Sequence, residues 1–113
     1  MTILRNIDSL KNTSQFKEVY EKGHSAANSF LVLYALATDG DEQKFGISVS
    51  KKVGNSVIRH RLSRVIRASF VELREKLPTG YRFVVVARYR AVDKNFSDVC
   101  DALLYLSKKM KLI

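Results

Sequence analysis

The stretch SVSKKVGNSVIRHRLSRVIRASF, residues 48 to 70, carries six Lys and Arg, one His and no acidic residue. These side chains make no covalent chemistry; they offer positive charge and hydrogen-bond donors, which is what phosphate recognition needs. Placed on a helix at about 100° per residue, Ile58, Leu62, Val65, Ile66, Ser69 and Leu73 cluster within about 100°, with Phe70 at the edge. His60, Arg61, Arg64 and Arg67 take the opposite side and Arg59 a flank. A solvated helix face ordinarily mixes signs, because Glu–Lys pairs four apart stabilise it by roughly 0.2–0.5 kcal/mol each. Here no acid occurs before Glu72. Lys51 and Lys52 precede the helix start, where cations oppose the macrodipole and an anion would be favoured by the free amides. Gly54 and Asn55 would let those amides approach a phosphate. A local rule broken in this way marks function.

Phosphate contacts alone are blind to sequence, with log affinity falling by about 0.7 per single-strand phosphate per decade of salt. Aromatic platforms add roughly 1–3 kcal/mol per stacked unpaired base. Phe16, Tyr20 and Tyr34 are the candidates, although each taken alone reads first as a core residue, since Phe16, Val19 and Tyr20 at spacing i, i+3, i+4 share one helix face.

The rest of the composition excludes more than it proposes. Twenty Lys and Arg against 11 Asp and Glu give a net charge of +9, an imbalance relieved by an anionic partner such as nucleic acid. Cys100 is the only cysteine and reads as a small buried hydrophobe; with His24 and His60 the only histidines, no metal cluster at zinc spacing can be assembled. No nucleophile–base pair or paired carboxylates stand out, so no catalytic residue is assigned. The N-terminal MTILRNIDSLKN lacks the apolar core of a signal peptide and no run approaches a membrane span, so the expectation is a cytoplasmic protein that does not engage membranes.

The elements that must carry these residues form one domain over residues 1–113. Residues 13 to 22 are predicted as a first helix, closed by Gly23 in the left-handed conformation. SFLVLYALA, residues 29 to 37, is strand-like on both faces; the segment from Gly23 to Thr38 has room for one long strand or two short ones. KFGISVSKK alternates Phe45, Ile47 and Val49 against Gly46, Ser48 and Ser50, a small second face that something can approach closely. Residues 56 to 76 form the long basic helix, capped by Asn55 or Ser56 and stopped by Pro78 and Gly80. YRFVVVARY is a strand with a buried centre at Val84–Val86, and NFSDVCDALLYLSKKM a last amphipathic helix. The fold class is α+β, an α/β sandwich of a small mixed sheet with three helices in the order α-β-β-β-α-β-α.

FGISVSKKVGNSVIRHRLSRVIR resembles the signature of the protein subunit of bacterial ribonuclease P. There a strand ending in a Ser-Lys-Lys run leads through Gly-Asn into an Arg-rich helix. FKEVYEKGHSAANSFLVLY is similar to that family's first helix and strand, and YRFVVVARYRA to its late strand. The resemblance implies a ribosomal-protein-like RNA-binding fold with a left-handed βαβ crossover. It implies two partners: the catalytic RNA subunit, on the basic helix, and the 5′ leader of precursor tRNA, in a cleft between the first helix, the sheet and the basic helix. Lys51, Lys52, Asn55, Arg59, Arg61, Arg64 and Arg67 match the basic motif, with His60 where Asn is common and Ser63 where Lys is common. Phe16, Tyr20 and Tyr34 match cleft aromatics, and Arg88 the "AR" ending the late strand. The implied activity is endonucleolytic removal of the leader to give the mature tRNA 5′ end. Mg²⁺ would be bound by the partner RNA, with no cofactor held by the protein. A ribosomal or assembly RNA-binding protein would use the same helix without the cleft. A DNA-binding regulator would need a partner helix across a tight turn, which is missing.

Overall fold

A computed structural model of the chain describes residues 8–10 and 12–113, so the reading of the N-terminal stretch falls mostly outside the described residues. The strands are β1 (Asp8–Ser9), β2 (His24–Ala27), β3 (Leu31–Ala37), β4 (Gln43–Val49) and β5 (Tyr81–Ala87). The helices are α1 (Thr13–Lys22), α2 (Ser56–Leu73) and α3 (Phe96–Lys109), with a 3₁₀ turn at Tyr89–Asp93. All five strands join one sheet in the order β1-β4-β5-β3-β2. β1 and β5 run parallel to β4, while β3 is antiparallel to β5 and β2 to β3. The expected α+β sandwich is therefore present, with the short β1 added ahead of the first helix.

Local chemistry explains the divisions. The segment from Gly23 to Thr38 resolves into two strands because Asn28 turns the chain: its Oδ1 accepts from the Phe30 and Leu31 amides at 2.9 and 2.7 Å. The helix expected to reach residue 76 ends at Leu73. The Gln43 side-chain amide there donates to the Arg74, Leu77 and Pro78 carbonyls at 3.0, 3.3 and 3.3 Å, meeting the need of orphan carbonyls near a helix end. Gly23, expected to be left-handed, is instead extended (φ −82°, ψ 171°). Its lack of a side chain matters for room, because a Cβ would meet the Val19 and Ala35 carbonyl oxygens at 2.6 and 2.8 Å. The left-handed glycine is Gly80 (φ 78°).

Strand alternation splits the apolar residues between two layers. Leu31, Leu33, Ala35, Phe45, Phe83, Val85 and Ala87 face the main core with Leu62, Ile66 and Phe70 of α2 and Val99, Leu103 and Leu106 of α3. On the opposite face, Val84 packs with Leu10 and with Val19 of α1, flanked by Phe16, Tyr34, Leu36 and Val86. Among the described residues, one helix thus covers one face and two helices the other.

Candidate nucleic-acid interface

The register places paired residues in rows across the α1 face of the sheet. Ser25, Tyr34, Val84 and Gly46 form one row; Ala27, Val32, Val86 and Ser48 form the next. α1 lies over the first row, with the Phe16 ring on Gly46: a Cβ there would be 2.7 Å from Phe16 Cε1 and Cζ. The second row stays half-exposed at Val32, Val86 and Ser48, forming the floor of an open trough beside α1. The small second face of β4 is what permits this close approach.

The three aromatic candidates come together along the trough. Phe16 and Tyr20 have ring centroids 6.4 Å apart, and Tyr20 meets Tyr34 edge-on at 4.9 Å. Tyr20 is 38% exposed, whereas Val19 between the two α1 aromatics is fully buried. Phe16 serves both the core and the trough wall. Arg88, one residue past β5, follows Val84 and Val86 in alternation and so continues the trough face. Its guanidinium donates to the Asn28 carbonyl at 3.0 Å and its amide to the Phe30 carbonyl at 2.9 Å.

α1 is fixed in place by charge as well as packing. Arg82 Nη1 donates to Glu18 Oε1 at 2.7 Å, and Lys22 Nζ lies 3.8 Å from the other Glu18 oxygen. Neither Glu18 nor Arg82 stood out in the sequence, where one of the two Glu in α1 and an Arg early in β5 carry no pattern.

Along α2 the cations separate into two flanks instead of forming one face. Ser63 and Arg67 turn toward α1 and line a recess of about 160 Å³ with Leu10, Phe16, Gly46 and Phe70, so Arg67 shares a recess with Phe16, the first of the three aromatics. His60, Arg61 and Arg64 turn the other way, onto a groove shared with Phe96 at the start of α3. Arg61 Nη2 donates to the Val92 and Lys94 carbonyls at 2.9 and 3.2 Å, tying the 3₁₀ turn to α2. Arg59 is half-buried, its Nε donating to the Gly54 carbonyl at 3.2 Å.

At the start of α2, Asn55 is the cap: its Oδ1 accepts from the Ile58 amide at 3.0 Å. Gly54 also has a packing reason, since a Cβ would meet the Ile58 side chain at 3.0 Å. Lys51 and Lys52 are exposed in the preceding turn. Among the described residues, none of Lys51, Lys52, Arg59, Arg61, Arg64 or Arg67 belongs to an ion pair. The charge seen in sequence is unopposed in space.

Cys100 is half-buried, and burial pushes its thiol up from the ordinary range; Glu72 and Asp101 act in the same direction, and a hydrogen bond with Ser69 opposes them. Among the described residues no group of His, Cys, Asp and Glu is placed to hold a metal, and no helix is long and apolar enough to cross a membrane.

An aromatic trough on a mixed sheet, bordered by a helix of unpaired cations, defines a small α+β RNA-binding protein. The family model for ribonuclease P matches residues 4–111, and the chain belongs to the ribonuclease P protein family. It is 47% identical over 107 residues to the ribonuclease P protein component of Lachnoclostridium phytofermentans, covering 94% of this chain and 91% of that one. The structure of the Staphylococcus aureus RNase P protein superposes with a TM-score of 0.83 at 33% identity, covering 92% of this chain and 95% of that one. The Thermotoga maritima RNase P protein gives 0.81 at 26% identity, over 90% and 96% of the two chains.

Proposed function

We propose that this chain acts as the protein component of ribonuclease P, binding the catalytic RNA subunit with its basic helix and the single-stranded 5′ leader of precursor tRNA in the trough. The observation that carries this reading is the meeting of Arg67 and Phe16 in one recess. A phosphate-binding cation there adjoins a row of aromatic rings over an open sheet surface, the combination that unpaired nucleotides require. Phe16, Tyr20 and Tyr34 offer base contacts along the trough, and Arg88 a phosphate contact at its end. Lys51, Lys52, Asn55, Arg59, His60, Arg61 and Arg64 present donors to the RNA subunit.

In this reading the labour is divided between the chain and its partner RNA. This chain binds the leader, orients it and screens the repulsion between two RNAs. Metal-activated water on the partner RNA supplies the hydrolytic chemistry. The chain is then one subunit of an RNA-based endoribonuclease.

The test is cleavage of a 5′-extended precursor tRNA at low millimolar Mg²⁺ by a bacterial ribonuclease P RNA, with and without the protein. Restoration of cleavage at the mature 5′ end, with no activity from the protein alone, is the expected result. Tight RNA binding without restored cleavage would point to a ribosomal or assembly protein.

A further inference from the structure

The groove between α2 and the start of α3 shares no lining residue with the recess at Arg67 and Phe16. It has a volume of about 540 Å³ and is lined by Val57, His60, Arg61, Arg64, Val65, Ala68 and Phe96. Two of its walls are apolar side chains left in the open: Val57 is 76% exposed and Phe96 43%. Single exposed hydrophobes need no explanation, but two on one groove, rimmed by cations, mark a contact surface.

The walls are held before any partner arrives. A capping box fixes Phe96 at the first position of α3: Asn95 Oδ1 accepts from the Asp98 amide at 2.9 Å, and Asp98 Oδ2 from the Asn95 amide at 3.1 Å. Arg61, bonded to the Val92 and Lys94 carbonyls, ties the segment just before Phe96 to α2. Phe96 is therefore held out by its backbone, at little entropic cost to a ligand.

Charge decides the kind of partner. His60, Arg61 and Arg64 line the groove and no acid does. The acids of α3, Asp98 and Asp101, line a separate recess with Asn28 and Phe30 on the other side of that helix. A flat apolar wall beside unopposed cations matches one unpaired nucleotide, whose base offers a π-face and whose phosphate offers the charge.

We infer that this groove is a base seat: an unstacked nucleotide of the catalytic RNA subunit places its base on Phe96, against Val57, and its phosphate on Arg64. This rests on the proposed function, in which the same helix binds that RNA. It adds a stacking contact from α3 to an interface otherwise made of charge.

The experiment measures binding of the full-length protein to the ribonuclease P RNA of Lachnoclostridium phytofermentans, across a salt series, with dimethyl sulfate probing of unpaired bases. Thermal melts verify that each variant folds. F96A is expected to weaken binding about ten-fold, the loss of one stacked base, with the salt slope unchanged. F96Y should restore affinity, and one base protected by the wild type should become reactive in F96A. F96L binding as tightly as wild type would overturn stacking. An unchanged F96A, with an R61A/R64A double variant still defective, would overturn the base seat and leave the RNA-binding face standing. If neither variant is defective, the RNA-binding reading of this face fails too. Loss of self-association in F96A by sedimentation, with RNA affinity intact, would assign the groove to a second copy and overturn the proposal.

Discussion

The ring of Phe16 rests on the bare backbone of Gly46, where a Cβ would fall 2.7 Å from two ring carbons and 3.0 Å from Leu10 Cδ1. This contact sets how closely α1 lies on the sheet, and so the width of the trough. Gly46→Ala should force α1 outward and cost about 1–3 kcal/mol, the usual range for overpacking. Urea denaturation measures this, and affinity for a leader-bearing precursor tRNA should fall with it. Phe16→Leu in the same chain should recover part of the stability, since the ring atoms in the clash are gone, yet leader affinity should stay low. Independent, additive effects of the two substitutions on stability would show that the contact does not set the spacing.

Asn55 is expected to have two separable roles. Its side chain caps α2 through the Ile58 amide, so Asn55→Ala should lose about 1 kcal/mol of stability. Asn55→Asp keeps the acceptor and suits the helix dipole, so its melting temperature should match or exceed that of the wild type. It also places a negative charge near Lys51, Lys52 and Arg59, and RNA affinity should fall. A stable Asp variant with full RNA affinity would confine Asn55 to capping.

The limits of the sequence reading are themselves physical. Helix and strand positions were legible because their periodicities are long and uninterrupted, and the cap of α2 narrowed to Asn55 or Ser56, of which the geometry takes Asn55. The small second face at Gly46 and Ser48 announced a close approach, though not which ring would fill it. A helical wheel placed Arg61, Arg64 and Arg67 on one side, but the neighbours of a helix decide where its flanks point. Arg67 went to the Phe16 recess because β4 and α1 lie beside it, and Arg61 bent back to the carbonyls of Val92 and Lys94. The Glu18–Arg82 pair joins residues 64 apart in sequence and leaves no local trace.

That pair yields a prediction about α1. Arg82 is 21% exposed in its side chain and Glu18 42%, and Arg82 Nε is buried without a partner. Glu18→Gln leaves a half-buried guanidinium without its counter-charge and should cost about 1 kcal/mol, between the values for exposed and buried pairs. Arg82→Met should be milder, because it removes the charge along with its desolvation. Equal losses in both variants, by denaturant titration, would show that the ion pair contributes little beyond packing.

Cys100 should be slow to react. Burial, with Glu72 and Asp101 adding to it, raises its thiol pKa in the folded chain, so the native state holds the proton more tightly than the unfolded state. The sign follows: the contribution to stability is complete below the unfolded thiol's pKa and is lost as pH rises through the higher folded value. Stability of the wild type should therefore decline on the alkaline side more steeply than that of Cys100→Ala. Iodoacetamide at neutral pH should alkylate the native chain more slowly than the urea-unfolded one. Equal alkylation rates would refute the protected thiol.

Arg61, Arg64 and Arg67 of α2 should separate by phenotype, because of these three only Arg61 is bonded to the backbone of another element. Arg61 donates to two backbone carbonyls across to the 3₁₀ turn. Arg61→Ala should cost about 1 kcal/mol of stability along with RNA affinity. Arg64 and Arg67 are exposed, so Arg64→Ala and Arg67→Ala should melt as the wild type does. Their binding defects should differ in kind. Arg67 borders the recess with Phe16, so its loss should weaken binding of precursor tRNA with a leader and spare the RNA subunit. Arg64 borders the groove with Phe96, so its loss should do the reverse. Each should lower the salt slope by about 0.7–0.9 for the one phosphate released. Identical defects toward both RNAs would mean that the two flanks face one continuous surface, and the separation of leader from RNA subunit along α2 would have to be abandoned.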